Sequence, residues 1–124
     1  MTKLYSVLLI ESGELDNFII QKVLENSNIS DTTSYNDSAS AIEHLLITDK
    51  KYDLILVHLH LKALNGIEFA RKLKELNLDK NQGLVCVLSA SVNPQDEEVV
   101  IQNDCKFILK PLTVEKIESL LQNL

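Results

Sequence analysis

Tryptophan is absent from this 124-residue chain, and glycine (3), proline (2), cysteine (2) and methionine (1) are all scarce. So few glycines leave no room for a glycine-rich phosphate loop, and neither a Gly-x-Gly-x-x-Gly nor a Walker motif occurs. The two cysteines, Cys86 and Cys105, form no metal-ligand spacing and no disulfide framework. They fit a reducing, cytoplasmic setting. Cys86 sits within an apolar run and reads as a small core residue, whereas Cys105 just precedes one and reads as a partly exposed thiol. No run approaches the ~20 apolar residues that a membrane-crossing helix needs. The start, Met1-Thr2-Lys3-Leu4, lacks signal-peptide organisation and leads straight into a strand-like segment. Positive charge is also short: 12 Lys and Arg against 18 Asp and Glu give a net charge of −6. Lys72, Lys74 and Lys80 are interleaved with Glu75 and Asp79 as a solvated helix face. Without a basic stripe, direct nucleic-acid binding is not expected.

What is present is an alternation. Apolar residues make up 45% of the chain, an ordinary share for a globular domain. Five strand-like runs alternate with five helix-like ones. Residues 4–10 are almost continuously apolar, as a sheet covered on both faces requires. A helix over about 14–25 places Leu15, Phe18, Ile19 and Val23 at helical spacing. Residues 32–35 are β-branched and aromatic but poor in apolar side chains, which suits an edge strand. The second helix, 38–47, sets Ala39, Ile42, Leu45 and Leu46 on its inner side, with His44 an exposed helical residue. The third strand is Leu54-Ile55-Leu56-Val57. Asn65 with Glu68 three residues later makes a capping-box pair that opens a helix running to about Leu76. The fourth strand is 84–88, and Asn93-Pro94 opens the fourth helix with proline at its first position. Strand five is 107–109, and the last helix starts near Thr113, with Val114, Ile117, Leu120, Leu121 and Leu124 along it. Strict alternation with short connections predicts one α/β domain over 1–124, with parallel strands and helices on both faces.

In such sheets ligands sit beyond the carboxyl ends of the strands, where strand order reverses. The residues falling there are Glu11-Ser12, His58 with His60 nearby, Ser89-Ala90-Ser91, and Lys110-Pro111. A carboxylate, an imidazole, hydroxyls and an ammonium are thus expected on one rim. Lys110, directly after an apolar strand, reads as a salt-bridge partner inside that pocket. Val99-Val100-Ile101 cannot all face inward on one helix, so some apolar surface is expected there.

The order of these pieces resembles the receiver domains of bacterial response regulators along the whole chain. Residues 52–59 through Asn65-Gly66-Ile67-Glu68-Phe69 look like the family's third strand, phosphorylation loop and third helix. Leu88-Ser89-Ala90 looks like the strand end bearing the switch hydroxyl, and Phe107-Ile108-Leu109-Lys110-Pro111 like the aromatic switch residue and the Lys-Pro pair. The resemblance implies a flavodoxin-like (βα)5 fold with strand order 2-1-3-4-5. It also implies roles: His58 stands at the phospho-acceptor position, Glu11 and Ser12 where the family has two acids, and Ser89, Phe107 and Lys110 at the switch and phosphate-pocket positions. Partners implied are a sensor histidine kinase, a phosphotransfer protein or another signalling protein. The fourth helix, fifth strand and fifth helix would supply a dimerisation face.

The departures matter as much. An aspartate would be the receiving residue, and here it is His58; the acid pair is reduced to Glu11. Magnesium wants hard oxygen ligands, so its binding is expected to be weak or absent, and no other metal is expected. Glu11 is expected to pair with Lys110, with His58, or with both. The expected function is therefore a pseudo-receiver, not an enzyme, that signals by binding. The alternatives are an atypical receiver phosphorylated on His58 or a neighbour, a pH-responsive His58, and a metal site of His58, His60 and Glu11. Read without the family, Ser89 is a strand cap and Phe107 plain core. A flavin-type phosphate loop is set aside, since Glu11-Ser12-Gly13-Glu14 carries two carboxylates.

Overall fold

The computed structural model describes residues 4–61 and 63–124. Residues 1–3, read above as the lead into the first strand, lie outside it. Five strands, β1 (Ser6–Ile10), β2 (Asp31–Tyr35), β3 (Leu54–His58), β4 (Leu84–Ser89) and β5 (Lys106–Leu109), alternate with five helices. The helices are α1 (Glu14–Asn26), α2 (Ser38–Ile47), α3 (Gly66–Glu75), α4 (Pro94–Gln102) and α5 (Val114–Gln122). All strand pairs are parallel, in the order β2-β1-β3-β4-β5. This is the flavodoxin-like arrangement expected from the sequence. The order reverses between β1 and β3, so the crevice lies above those two strands.

The period of two along each strand divides the core. Leu8, Ile10, Ile55, Val57, Val85 and Val87 pack on one face with Ala41 and Ile42 of α2, Phe69 and Leu73 of α3 and Val100 of α4. Val7, Leu9, Leu54, Leu56, Cys86 and Leu88 pack on the other with Ile20 and Leu24 of α1 and Ile117 and Leu120 of α5. Each fully buried aliphatic side chain contributes about 1.5–3 kcal/mol. That is why the three central strands read as unbroken apolar runs.

The helix starts follow their caps. Asn65 accepts from the Glu68 amide at 2.9 Å while Glu68 Oε1 accepts from the Asn65 amide at 3.1 Å, completing the expected capping box. Asp37, Asn93 and Thr113 cap α2, α4 and α5, each side chain accepting from a backbone amide of the first turn. β2 is an edge strand, as expected.

Four local readings are corrected. The buried face of α1 is Ile20 and Leu24, whereas Leu15, Phe18 and Ile19 are exposed by 70%, 60% and 46%. On α2, Ser38, Ala41, Ile42 and Leu45 face inward, and Ala39 and Leu46 face out. His44 is half-buried, its Nε2 2.7 Å from the hydroxyl of fully buried Tyr52. The amphiphilic imidazole here gives the buried phenol a hydrogen-bond partner. Cys105 is buried, and desolvation pushes its thiol up to about 11. On α4, Val100 is buried and Ile101 exposed, so the expected apolar surface is there.

Candidate functional site

Parallel register builds the site. Ile10 of β1 lies beside Val57 of β3, so the next residues, Glu11 and His58, emerge side by side at the same height. Both continue the parity of Leu9 and Leu56, and therefore lean toward the layer of α1 and α5. Lys110, one residue past β5, continues the parity of Ile108 toward that layer too. Three residues far apart in sequence are thus brought to one spot by strand alternation alone.

Glu11 is the hub. It is 1% exposed, with Oε2 2.8 Å from His58 Nδ1 and Oε1 3.2 Å from Lys110 Nζ. Among the described residues, buried Oε2 has the ring as a close neighbour and no hydrogen-bond partner. The Glu11 backbone is fixed as well, its amide donating to the Tyr35 carbonyl at 3.0 Å. Lys110 is held from behind, its amide donating to the Ser89 carbonyl at 2.8 Å.

A fourth member escaped the sequence reading. Asp16, in the first turn of α1, places Oδ2 3.2 Å from Lys110 Nζ. The ammonium therefore lies between two carboxylates. Its hydrogen bond and charge hold the Asp16 carboxyl below the usual range. No local signal marks it, because its role depends on where α1 sits against the loop after β5.

A lowered carboxyl stabilises the fold above the unfolded-state value near 3.8, and that contribution is lost as pH falls through the lower, folded value. Asp16 is 52% exposed, so solvent screening keeps the pair within roughly 0.2–1 kcal/mol. Asp16→Asn is accordingly expected to cost about 0.5 kcal/mol at neutral pH and progressively less as pH falls below 3.8 and through the lower, folded value. Urea unfolding of both proteins across that range checks it; a gap that persists in acid would assign the loss to something other than charge.

The remaining expected residues stand apart from this cluster. Ser12 is exposed. Ser89 is fully buried, and its hydroxyl donates to the Ser91 carbonyl at 2.8 Å, closing the turn after β4. It has the parity of Val87, opposite to that of Leu88. Phe107 is half-buried against the α2–α3–α4 face. His60 is exposed, with its ring edge-on to His58 at 6.2 Å between centroids. Among the described residues, no three His, Cys, Asp or Glu side chains are placed to hold a metal ion. The alternative of a His58–His60–Glu11 metal site therefore gains no support.

Two hollows flank the cluster. One of about 370 Å3 lies between α1 and the β5–α5 loop, lined by Asp16, Ile19, Ile20, Lys110, Pro111 and Leu112 among others. The other, about 510 Å3, lies between α1 and β2 and reaches from Glu11 to Glu25 past Phe18. The exposed Leu15, Phe18 and Ile19 stand on the helix that separates them. No helix among the described residues is long and apolar enough to cross a membrane.

Comparison with known proteins places this geometry in context. The model of the response regulator receiver domain matches residues 7–122. The two-component response regulator ARR15 of Arabidopsis thaliana is 24% identical over 123 residues, a match covering 92% of this chain and 59% of that protein. The sensor histidine kinase CheAY of Helicobacter pylori is 28% identical over 118 residues, covering 95% of this chain but 15% of the kinase. The chain thus spans about half, or far less, of the length of these relatives. Among solved structures, a two-component response regulator from Cytophaga hutchinsonii superimposes with a TM-score of 0.87 at 23% identity, over 98% of this chain and 97% of that one.

Proposed function

Since the chain belongs to the response regulator receiver domain family of two-component signalling, we propose that it is a pseudo-receiver, which docks on other signalling proteins without being phosphorylated at His58. The observation that carries this reading is the ammonium of Lys110, 3.2 Å from Glu11 and 3.2 Å from Asp16. In phosphoryl transfer a metal ion and a lysine neutralise charge that develops on the phosphoryl group. In this pocket the lysine is already spent on two carboxylates, and an imidazole stands where the accepting carboxylate would be.

Magnesium does not fit the same residues. It requires several oxygen ligands in near-octahedral array. Here one buried carboxylate has an ammonium on one oxygen and an imidazole beside the other. We therefore assign the domain no metal, no cofactor and no reaction of its own.

Receiver domains of two-component systems interact with histidine kinases and phosphotransfer proteins, and we assign this chain a partner of that class. The outward stripe of Leu15, Phe18 and Ile19 supports a binding role, since clustered apolar exposure of this kind marks contact surfaces. A second face, of α4, β5 and α5, exposes Ile101 and Leu109 by 59% and 40% and is the surface we assign to a homodimer. The setting in this reading is cytoplasmic, and neither nucleic acid nor membrane is a direct partner.

Intact-mass spectrometry after incubation with a small phosphodonor and magnesium tests the proposal, on wild type and His58→Ala together. No phosphoryl-sized gain is expected in either protein. A gain in wild type that disappears in His58→Ala would replace the pseudo-receiver with an atypical receiver that accepts the phosphoryl group on His58.

A further inference from the structure

Lys116, in the first turn of α5, reaches back to the chain that precedes its helix. Its ammonium donates to the Leu109 carbonyl at 2.5 Å and to the Pro111 carbonyl at 2.8 Å. These two carbonyls flank Lys110. Lys116 is itself anchored, its amide donating to the capping Thr113 Oγ1 at 3.2 Å. One side chain of α5 therefore grips the backbone on both sides of the residue whose own ammonium crosses to Glu11 and Asp16.

We propose that Lys116 is a positioning residue that fixes the β5–α5 loop, so that Lys110 stays bridged to α1 and the groove between α1 and that loop keeps its shape. The last step rests on the reading of the domain as a binding module; the clamp itself does not.

Lys110 lies past the end of β5, and its amide bonds to the Ser89 carbonyl at the end of β4. A lysine side chain has four rotatable bonds and holds a bridge only if its Cα is placed within reach. Charge-assisted bonds to two carbonyls are about twice as strong as neutral ones, and an ammonium has the three donors needed to make both at once. The groove is walled by Asp16, Ile19 and Ile20 on one side and Lys110, Pro111 and Leu112 on the other. Its width therefore depends on the loop segment that Lys116 holds.

The test is trace acetylation of lysines with acetic anhydride, read residue by residue by peptide mass spectrometry in wild type, Lys116→Met and Lys116→Arg. The Lys110 side chain is 14% exposed and held by two carboxylates, so its labelling in wild type should be slow. In Lys116→Met, Lys110 labelling is expected to rise about tenfold relative to exposed Lys22 and Lys72. Lys116→Arg, which keeps donors for the two carbonyls, should restore most of the protection. Unchanged Lys110 labelling in Lys116→Met would overturn the proposal. So would a rise shared equally by all lysines, which means general loosening and not positioning. Neither outcome bears on phosphorylation at His58, so this inference and the pseudo-receiver reading can fail separately.

Discussion

Lys110→Met is expected to lower the free energy of unfolding by about 3 kcal/mol and the melting temperature by roughly 10 °C. The physical reason is the state of Glu11 once the ammonium has gone. Its carboxylate is 1% exposed, and removing one partner of a buried pair leaves the other without compensation, a loss of about 3–5 kcal/mol. The low end applies because the His58 ring remains as a polar neighbour, 2.8 Å from Glu11. The double variant Lys110→Met with Glu11→Gln should recover a large part of the loss, since no charge is then stranded. Urea denaturation at neutral pH measures all three. A Lys110→Met protein within about 0.5 kcal/mol of wild type would mean that water screens the cluster, and the self-neutralised pocket would lose its main support.

The second large effect lies at the opposite end of the sheet. A Cβ on Gly83 would stand 2.1 Å from the Asp53 carbonyl oxygen, 2.7 Å from the Asp53 carbonyl carbon and 2.8 Å from the Tyr52 oxygen. All three are backbone atoms, so no side chain can swing aside. The same segment makes the bonds that start the β3–β4 pairing, from the Gly83 amide to Tyr52 at 2.8 Å and from the Leu84 amide to Asp53 at 3.0 Å. Room for a methyl group comes only by opening that pairing. Gly83→Ala is expected to cost more than about 3 kcal/mol, beyond ordinary overpacking. Gly13 provides the control, since its nearest neighbour to a new Cβ is at 3.7 Å and alanine there should cost about 1 kcal/mol or less as an uncharged N-cap. Equal melting curves for the two variants would show that the Gly83 contact relaxes easily.

The fold was legible because its signals are local and agree with one another. The buried strands must be apolar on both faces, and Asn65, Asn93 and Thr113 fall where helices need caps, so element type and order could be read directly. What failed was the rotation of helices. Leu15, Phe18 and Ile19 fit an apolar stripe as well as Ile20 and Leu24 do, and periodicity alone cannot say which stripe meets the sheet. The choice of Ile20 and Leu24 leaves the other stripe in solvent. His44 was misjudged because its partner, the hydroxyl of Tyr52, comes from a different element and has no trace in the local pattern.

The site was half legible. Glu11, His58 and Lys110 could be placed on one rim because each directly follows a strand or ends one. Asp16 could not, since its role depends on where α1 sits against the β5–α5 loop. Ser89 shares the rim but has the opposite parity, and its hydroxyl closes its own turn.

The two borders of the sheet bear on how this protein meets others. β2 has five residues and β5 has four, and each begins with a charged side chain, Asp31 and Lys106. Asp31 also carries a 2.6 Å ion pair with Lys50 at that border. Short, charged borders are poor templates for a strand from another chain. Growth of the sheet into fibrils or strand-swapped chains is thereby disfavoured, even when copies are crowded together. Association is left to the helical surfaces, where contacts are made by side chains and can be lost again without unravelling the sheet.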